Sequence, residues 1–297
     1  MIRIALIGTG LIGGSLGLAL QTPAARAGPL RDVQITGYDR DKQMLQTAYE
    51  RRAINQQARS LAEAVAQADL VILATPVQTV QTLLRELAPL LAGGTVVTDT
   101  ASTKVQVNAW AAEFLPPGVG FMGGHPMAGR EQVGAAAARA DLFKGAVYCL
   151  TPNPGLAPQG RQLMEEVVQA VGAKPYYIES AQHDAYVAGI SHLPFLLSTA
   201  LVEAVSQSPD WSAMSLLAAG GFRDVSRLAS GDPQMHRDIC LTNQAALLGW
   251  VDAAVEALLK LRGHLAKDET EQLDALFDHA KQVRDAWLAE RMRGLGS

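Results

Sequence analysis

Cysteine and clustered histidine are scarce in this chain of 297 residues. Its two cysteines, Cys149 and Cys240, are far apart and form no C-x-x-C motif, so a disulfide framework has no support. Isolated thiols are typical of a reducing compartment, and we expect a cytoplasmic protein. The six histidines are scattered singly, so we predict that no metal is bound.

The chain also has no excess of positive charge and no long apolar run. Its 25 basic and 29 acidic residues give a formal net charge of -4, which makes nucleic acid an improbable partner. Because no uninterrupted apolar run approaches the roughly 18 to 20 residues of a membrane span, we expect no membrane segment. The length favours two domains at roughly 150 residues each.

The first twenty residues carry the strongest local pattern. An apolar run (residues 2–7) leads into a G-x-G-x-x-G turn and then an Ala/Leu-rich stretch, which is the order strand, turn, helix of a dinucleotide-binding site. The helix N-terminus would hold the pyrophosphate through free N–H groups. The residues predicted to bind the cofactor here are Gly8, Gly10, Leu11, Ile12 and Gly13.

The second strand (residues 33–38) ends at Asp39. An acidic residue at this place can accept hydrogen bonds from the adenosine ribose hydroxyls, which favours NAD as the cofactor. Arg40 follows directly and could instead pair with a 2′-phosphate, so NADP is the alternative.

Strand and helix patterns continue to alternate as far as residue 178. This alternation predicts an α/β fold, a Rossmann-like doubly wound parallel sheet over residues 1–178. Thr75, Pro76, Ser102 and His125 each follow the end of a predicted strand. Because ligands bind outside the carboxyl ends of such strands, we expect these residues to meet the glycine turn in one crevice.

Long helical periods replace the alternation from Ser180, so we predict an all-α domain over residues 179–297. Pro194 interrupts the first of these helices close to His192. A later helix has a broad apolar face, which favours a homodimer interface over a fully intramolecular bundle. This face contains Leu247, Leu248, Val251, Val255, Leu258 and Leu259.

A site that oxidises an alcohol needs a base for the hydroxyl proton, and His125 is the best candidate because imidazole titrates near neutral pH. Its alternative is a structural histidine at a turn. Ser102 could orient the imidazole or bind the substrate, or it could be a helix N-cap before Thr103. Lys104 is a rival base, but the K-x-x-x-N helix of lysine-dependent nicotinamide enzymes is absent.

Arg223 and Arg227 are four residues apart, so on one helix they would share a face and clamp an anion. Their alternative is a solvated surface pair bonded to Asp224. His192 either adds a hydrogen bond to the substrate or fills the interruption before Pro194.

Taken together, several motifs resemble those of the prephenate/arogenate dehydrogenases of tyrosine biosynthesis. The resemblance covers nearly the whole chain, through the glycine turn, Asp99-Thr-Ala-Ser102-x-Lys104, Gly124-His125-Pro-Met-Ala-Gly129, Ile190-Ser-His192-Leu-Pro194 and Gly221-Phe-Arg223-Asp-x-Ser-Arg227. It implies oxidative decarboxylation of prephenate, arogenate or both with NAD, and a C-terminal helical domain that dimerises.

The same resemblance implies roles for individual residues. His125 would be the base toward the ring hydroxyl, and Ser102 would assist it. His192 would lie in the substrate pocket, where Arg227 would bind a carboxylate. Gly221 and His236 complete the predicted substrate-binding residues, together with Arg223 from the spacing argument.

Two positions depart from the family pattern. Phe195 stands where some members have a histidine, and His236 where many have a tryptophan. Both would lie near the substrate side chain, so the choice between keto and amino substrate stays open. The other functions left open are a different hydroxyacid dehydrogenase and a non-catalytic, NAD-sensing dimer.

Overall fold

The computed structural model describes residues 1–129 and 132–295, the last four of these as backbone only. Within these residues eight strands form one sheet. They are β1 (Ile2–Ile7), β2 (Val33–Tyr38), β3 (Gln56–Gln57), β4 (Leu70–Leu73), β5 (Val96–Asp99), β6 (Gly120–Pro126), β7 (Val147–Pro152) and β8 (Lys174–Tyr177).

The strand order is β3-β2-β1-β4-β5-β6-β7-β8, and every neighbouring pair except β6 and β7 is parallel. This confirms the predicted α/β fold. Strands β6 and β7 are antiparallel, which the sequence pattern did not predict. The described part of their connection has only a three-residue 3-10 turn (Ala135–Ala137), whereas a parallel return requires a longer crossover, usually a helix.

Twelve α-helices accompany the sheet within the described residues up to residue 244. They are α1 (Leu11–Leu20), α2 (Pro23–Arg26), α3 (Lys42–Glu50), α4 (Leu61–Val65), α5 (Val77–Leu87), α6 (Val105–Phe114), α7 (Pro158–Ala170), α8 (Ser180–Val187), α9 (Leu193–Ser206), α10 (Trp211–Met214), α11 (Gly220–Ser226) and α12 (Pro233–Thr242).

Strand β4 shows why the central strands are apolar throughout. All four of its side chains are buried, and they alternate between two core clusters: Leu70 and Ile72 belong to one, Val71 and Leu73 to the other. A strand covered on both faces has no solvated side, so its sequence lacks the polar alternation of a half-exposed strand.

Residues 180–206 form one continuous helical segment of 27 residues. A π-helical turn (Ala188–His192) joins α8 to α9, just before Pro194, where the sequence predicts an interruption. The best 18-residue window has a mean hydropathy of 1.5, so by length and composition this segment, found among the described residues, could cross a membrane. The absence of a membrane segment stays a prediction, because the core helix of a soluble protein passes the same test. Buried polar bonds from Asp184 and Ser198 to other elements instead indicate a packed domain helix.

Contacts divide the chain into two compact units, Met1–Gln244 and Ala245–Ser297. The boundary predicted at residue 178 falls within the first unit and stays a prediction about the domains. The second unit consists of α13 (Gln244–Ala266), of which Gln244 belongs to the first unit, and α14 (Thr270–Leu295). Large apolar side chains of these helices are exposed, among them Leu248, Val255, Leu258, Leu259, Phe277 and Trp287.

Candidate active site

A cavity of about 680 Å³ lies beyond the carboxyl ends of β4, β5 and β6, within the first unit. Its lining includes nine of the residues predicted to bind cofactor or substrate: Leu11, Ile12, Thr75, Pro76, Ser102, His125, His192, Arg227 and His236. The crevice expected from strand ends and the glycine turn is therefore present, and helices that follow the sheet complete it. The role of each residue stays a prediction.

The glycine turn has the geometry that a pyrophosphate requires. Gly8 has φ of +91°, and a Cβ there would lie 2.4 Å from the carbonyl oxygen of Ala74, so only glycine fits. A Cβ on Gly13 would meet the Gly8 oxygen at 2.0 Å, because α1 packs closely on the turn. Gly10 instead faces open space and caps α1 without any side-chain hydrogen bond. The first N–H groups of α1 can therefore bind an anion.

Asp39 connects the end of β2 to this turn. Its Oδ2 accepts hydrogen bonds from the Thr9 backbone N–H at 2.8 Å and from the Thr9 hydroxyl at 3.1 Å. Its Oδ1 accepts from the Asp41 N–H. The carboxylate therefore has a fixed position beside the turn, where the ribose of a dinucleotide would lie. Arg40 is exposed next to it.

Thr75 shows a further sign of a ligand site. Its Oγ1 is buried without a hydrogen-bond partner among the described residues, and the residue lines the cavity. Buried hydroxyls are almost always hydrogen-bonded, so this one is satisfied when a polar ligand or water is bound. The open backbone at Gly10 and the orphan Thr75 hydroxyl both fit a bound dinucleotide.

A buried ion pair fixes the backbone of Gly124, the residue before His125. The carboxylate of Asp99 bonds the Lys104 ammonium, and both side chains are fully buried. Lys104 also donates to the Gly124 carbonyl at 2.7 Å, and Asp99 accepts from the Gly124 N–H at 3.1 Å. Burial lowers the pKa of Lys104, and Asp99 opposes that shift. The Lys104 ammonium is therefore occupied by hydrogen bonds to Asp99 and Gly124, so Lys104 is not the base at the cavity.

His183 and Asp184 adjoin His125, and sequence reasoning missed their role. His125 Nδ1 lies 2.9 Å from His183 Nε2, and His183 Nδ1 lies 2.7 Å from Asp184 Oδ1. All three side chains are buried. The only signal in the sequence is an adjacent His-Asp pair at the start of a long apolar helix, and nothing local in that pair indicates its spatial partner.

His125 is neutral at neutral pH. Burial, reinforced by the neighbouring His183, Lys104 and His192, lowers its pKa well below the ordinary value. With Nδ1 bonded to His183, Nε2 is the ring nitrogen left to face the cavity. A neutral imidazole with a free nitrogen can accept a proton from a ligand there.

His192 also lines the cavity. The Asn243 amide lies 3.2 Å from His192 Nδ1, while Nε2 is buried without a partner among the described residues. The amide nitrogen can only donate, so His192 Nδ1 accepts and Nε2 carries the hydrogen. Burial lowers the pKa of His192 to about 4, so it presents a neutral donor.

The two positions that depart from the family pattern contact each other. The rings of Phe195 and His236 stack with centroids 4.1 Å apart and planes 2° from parallel, and both line the cavity. Burial lowers the pKa of His236, so this wall of the cavity is aromatic and carries no fixed charge at neutral pH.

Ser102 lines the cavity but does not cap the following helix. The N-cap of α6 is Lys104, and the acceptor for the first N–H groups is the carboxylate of Asp184, at 2.7 Å from Lys104 N and 2.9 Å from Val105 N. The alternative of Ser102 as an N-cap is therefore wrong, because a distant carboxylate supplies that acceptor. Its hydroxyl is available to a ligand.

Gly221 and Arg223 do not line this cavity. Arg223 is 81% exposed and pairs with Asp224 at 3.5 Å, which is the surface pair considered as the alternative to a clamp. Helix α11 ends at Ser226 and Arg227 begins a 3-10 turn, so the two arginines do not share one continuous α-helix. Contact of Arg223 and Gly221 with substrate stays a prediction without support from this cavity.

We predict that Lys104→Met lowers the free energy of unfolding by about 3–5 kcal/mol, because it leaves the buried Asp99 charge unpaired. Denaturant titration measures the change, with the exposed Lys144→Met as the matched control. Adding Asp99→Asn should restore part of the loss. A single-variant loss below about 1 kcal/mol would contradict the ion pair's structural role.

A second prediction concerns acid stability. His192 has a folded pKa of about 4 and an unfolded pKa near 6.5, so between those values the unfolded state binds more protons and stability falls as pH falls. Unfolding free energies at pH about 7 and about 4.5 should show a wild-type loss exceeding that of His192→Gln by about 2–3 kcal/mol. The exposed His279→Gln should behave as wild type, and equal losses in all three would refute the assignment.

Two family models match the chain. "Prephenate dehydrogenase, nucleotide-binding domain" matches residues 25–177, and "Prephenate dehydrogenase, dimerization domain" matches residues 179–279. The first match begins after the glycine turn, so the turn itself is identified by its geometry.

Individual proteins agree with these models. Prephenate dehydrogenase of Bacillus subtilis is 35% identical over 295 residues, covering 98% of this chain and 77% of the relative. Arogenate dehydrogenase of Synechocystis has a structure with TM-score 0.80 and 31% identity, covering 96% of this chain and all of that one. Prephenate dehydrogenase of A. aeolicus, solved with hydroxyphenyl propionate and NAD+, gives TM-score 0.87 and 27% identity, covering 96% and 98%.

Proposed function

The chain belongs to the prephenate dehydrogenase family, and on that premise we propose that it oxidatively decarboxylates prephenate, arogenate or both with NAD, in tyrosine biosynthesis. One observation carries the proposal. His125, neutral and with one ring nitrogen left for the cavity, lines the same cavity as the first residues of α1 and the Thr75-Pro76 strand end. A base and a dinucleotide turn thus share one space.

The residues that would hold the cofactor are those of the glycine turn, with Asp39 at the ribose and Thr75 and Pro76 beside the nicotinamide half. When bound, NAD would supply the acceptor for the hydride that leaves ring carbon 4 of the substrate. Because Asp39 is fixed beside the turn and Arg40 is exposed, we propose NAD over NADP.

His125 takes the proton of the ring hydroxyl as carbon 4 is oxidised, and Ser102 can hold the same hydroxyl. The carboxylate on ring carbon 1 then leaves as carbon dioxide. Its bonding electrons pass through the ring to the oxygen on carbon 4, which makes the ring aromatic, and this oxygen takes the proton back from His125. Because aromatisation drives this step, the chain has to position groups and to receive and return one proton.

Substrate binding is assigned to Arg227 and His192. Arg227 is the cation among the described residues that line the cavity, and guanidinium binds carboxylates in a bidentate manner. His192 Nε2 has no partner among the described residues, so it can donate a hydrogen bond to the substrate from a fixed, buried ring. The stacked Phe195 and His236 rings form the wall at which keto and amino side chains would be distinguished.

One assay separates this function from its alternatives. Purified protein is incubated with NAD or NADP and with prephenate, arogenate or a simple hydroxyacid, and the absorbance of the reduced cofactor is followed. Turnover of a cyclohexadienyl substrate supports the proposal. Turnover of only a hydroxyacid, or NAD binding without any turnover, would establish one of the other two functions.

We predict that His125→Asn lowers kcat by about 10²- to 10⁴-fold, the usual contribution of a positioned general base. NAD affinity, measured by fluorescence titration, should be unchanged, and the exposed His279→Asn should turn over normally. A decrease in kcat of less than about 10-fold would show that another group takes the proton.

Arg227→Ala should raise KM by about 10- to 150-fold, since a charged hydrogen-bond partner is worth about 1.5–3 kcal/mol. The exposed Arg31→Ala is the matched control, and initial rates over a range of substrate concentrations give KM. Arg223→Ala belongs in the same series: an equal rise in KM would support the two-arginine clamp, and an unchanged KM for Arg227→Ala would remove Arg227 from the substrate site.

We further propose a cytoplasmic homodimer formed through the C-terminal helices. The exposed apolar face of α13 is unsuited to solvent, and a dimerization-domain model matches this part of the chain. We predict that Leu258→Glu with Leu259→Glu halves the mass measured by light scattering, because two charges would enter the interface. Glu256→Gln, outside that face, should leave the mass unchanged, and an unaltered dimer in the double variant would place the interface elsewhere.

A further inference from the structure

A continuous hydrogen-bonded chain leads from helix α8 to the cavity. Asp184 Oδ1 lies 2.7 Å from His183 Nδ1, and His183 Nε2 lies 2.9 Å from His125 Nδ1. The two imidazoles meet edge to face, with centroids 5.1 Å apart and planes at 72°. These hydrogen bonds connect His125, on strand β6, to helix α8, whose residues His183 and Asp184 do not line the cavity.

The donors and acceptors in this series of hydrogen bonds are set by Asp184. The Asp184 carboxylate accepts the backbone N–H groups of Lys104 and Val105, at 2.7 and 2.9 Å. A carboxylate with these donors is an acceptor only, so His183 Nδ1 must carry a hydrogen and donate it. When the His183 ring carries only that hydrogen, its bare Nε2 accepts, and the hydrogen between the rings belongs to His125 Nδ1.

We propose that His183 and Asp184 are positioning residues that fix the tautomer of His125, placing its hydrogen on Nδ1 and its lone pair on Nε2 toward the cavity. The tautomer follows from the hydrogen bonds together with a single hydrogen on the His183 ring. Its importance for turnover depends on the proposed dehydrogenase function, because only a proton-accepting step requires a bare Nε2 there.

The surroundings of His125 make its tautomer decisive. Burial lowers the pKa of His125, the neighbouring His183, Lys104 and His192 add to that shift, and Asp99 pairs with Lys104. Since His125 is neutral near pH 7, its tautomer decides whether a base or a donor faces the ligand. When Nε2 takes a proton, the Asp184 carboxylate is the negative charge that His183 links to the new imidazolium.

The direct test is the tautomer in the wild-type protein. With ¹⁵N-labelled histidine, two-bond ¹H–¹⁵N correlation spectra distinguish a protonated Nδ1 from a protonated Nε2. With six histidines in the chain, His125→Asn assigns the signal. We expect protonated Nδ1 and bare Nε2 at pH about 7.5, a unit above the ordinary imidazole pKa. A protonated Nε2 would overturn the proposal whether or not the protein turns over any substrate.

Asp184→Asn reverses the chain if the proposal is right. The amide can donate to His183 Nδ1, so His183 would donate through Nε2 and leave the hydrogen of His125 on Nε2. We expect the spectrum to change accordingly and kcat to fall by about 10³- to 10⁴-fold, as for an incorrect tautomer in a catalytic triad. NAD affinity should be retained, and the exposed Asp32→Asn is the matched control. An unchanged spectrum or kcat would contradict the proposal.

Two substitutions of His183 give a second test that does not depend on the Asp184 variant folding. Glutamine can accept from His125 Nδ1 through its oxygen and donate to Asp184 through its nitrogen, whereas leucine can do neither. We expect His183→Gln to keep kcat within about 10-fold of wild type and His183→Leu to lose about 10²-fold or more. Equal kcat values in two variants of equal thermal stability would overturn the proposal. Absence of wild-type turnover would instead refute the proposed function, and the ¹H–¹⁵N spectra would still report the tautomer of His125.

Discussion

The hydrogen bonds accepted by the Asp184 carboxylate are the interactions on which the rest of the site depends. This carboxylate accepts the first backbone N–H groups of α6 from a separate helix and, through the same group, bonds His183. Helix α6 begins directly after Lys104, whose ammonium bonds Asp99 and the carbonyl before His125. One side chain therefore orders the strand end, the helix start and the imidazole.

Charge balance explains why such a polar arrangement is tolerated inside the protein. Asp99 and Lys104 neutralise each other, and the carboxylate of Asp184 is surrounded by donors. Burial lowers the pKa of the imidazoles of His125 and His192, so these two rings carry no charge at neutral pH. The result is a cavity with neutral nitrogens whose donor or acceptor state is fixed by hydrogen bonds. Arg227 is the positively charged residue among the described residues lining it.

The sequence was most informative where the cause is local. A strand, a glycine turn and a helix follow one another within twenty residues, and parallel strands place their ends at one edge, so Thr75, Ser102 and His125 could be located before any coordinates. The predictions from sequence failed where the interacting residue is far away along the chain. The acceptor that displaces Ser102 as a cap is about eighty residues away, at Asp184.

Sequence spacing is less informative where the backbone changes type. Residues four apart share a face only on a continuous α-helix, and the 3-10 turn that begins at Arg227 interrupts that spacing, while Arg223 is exposed. The long helical period from Ser180 and the interruption near Pro194 are visible in the sequence, whereas the π-helical form of the turn that joins α8 to α9 is not. Strand β7 pairs antiparallel with β6, and the described part of their connection contains no crossover helix. A pattern of apolar residues does not specify strand direction.

The measurement that tests the central claim most directly is a crystal structure of this protein with NAD and hydroxyphenyl propionate. If His125 receives the ring-hydroxyl proton, its Nε2 should lie about 2.6–3.2 Å from the phenol oxygen, with the nicotinamide on the same side of the cavity. A phenol oxygen more than about 4 Å from that nitrogen, bonded to another side chain instead, would contradict the account.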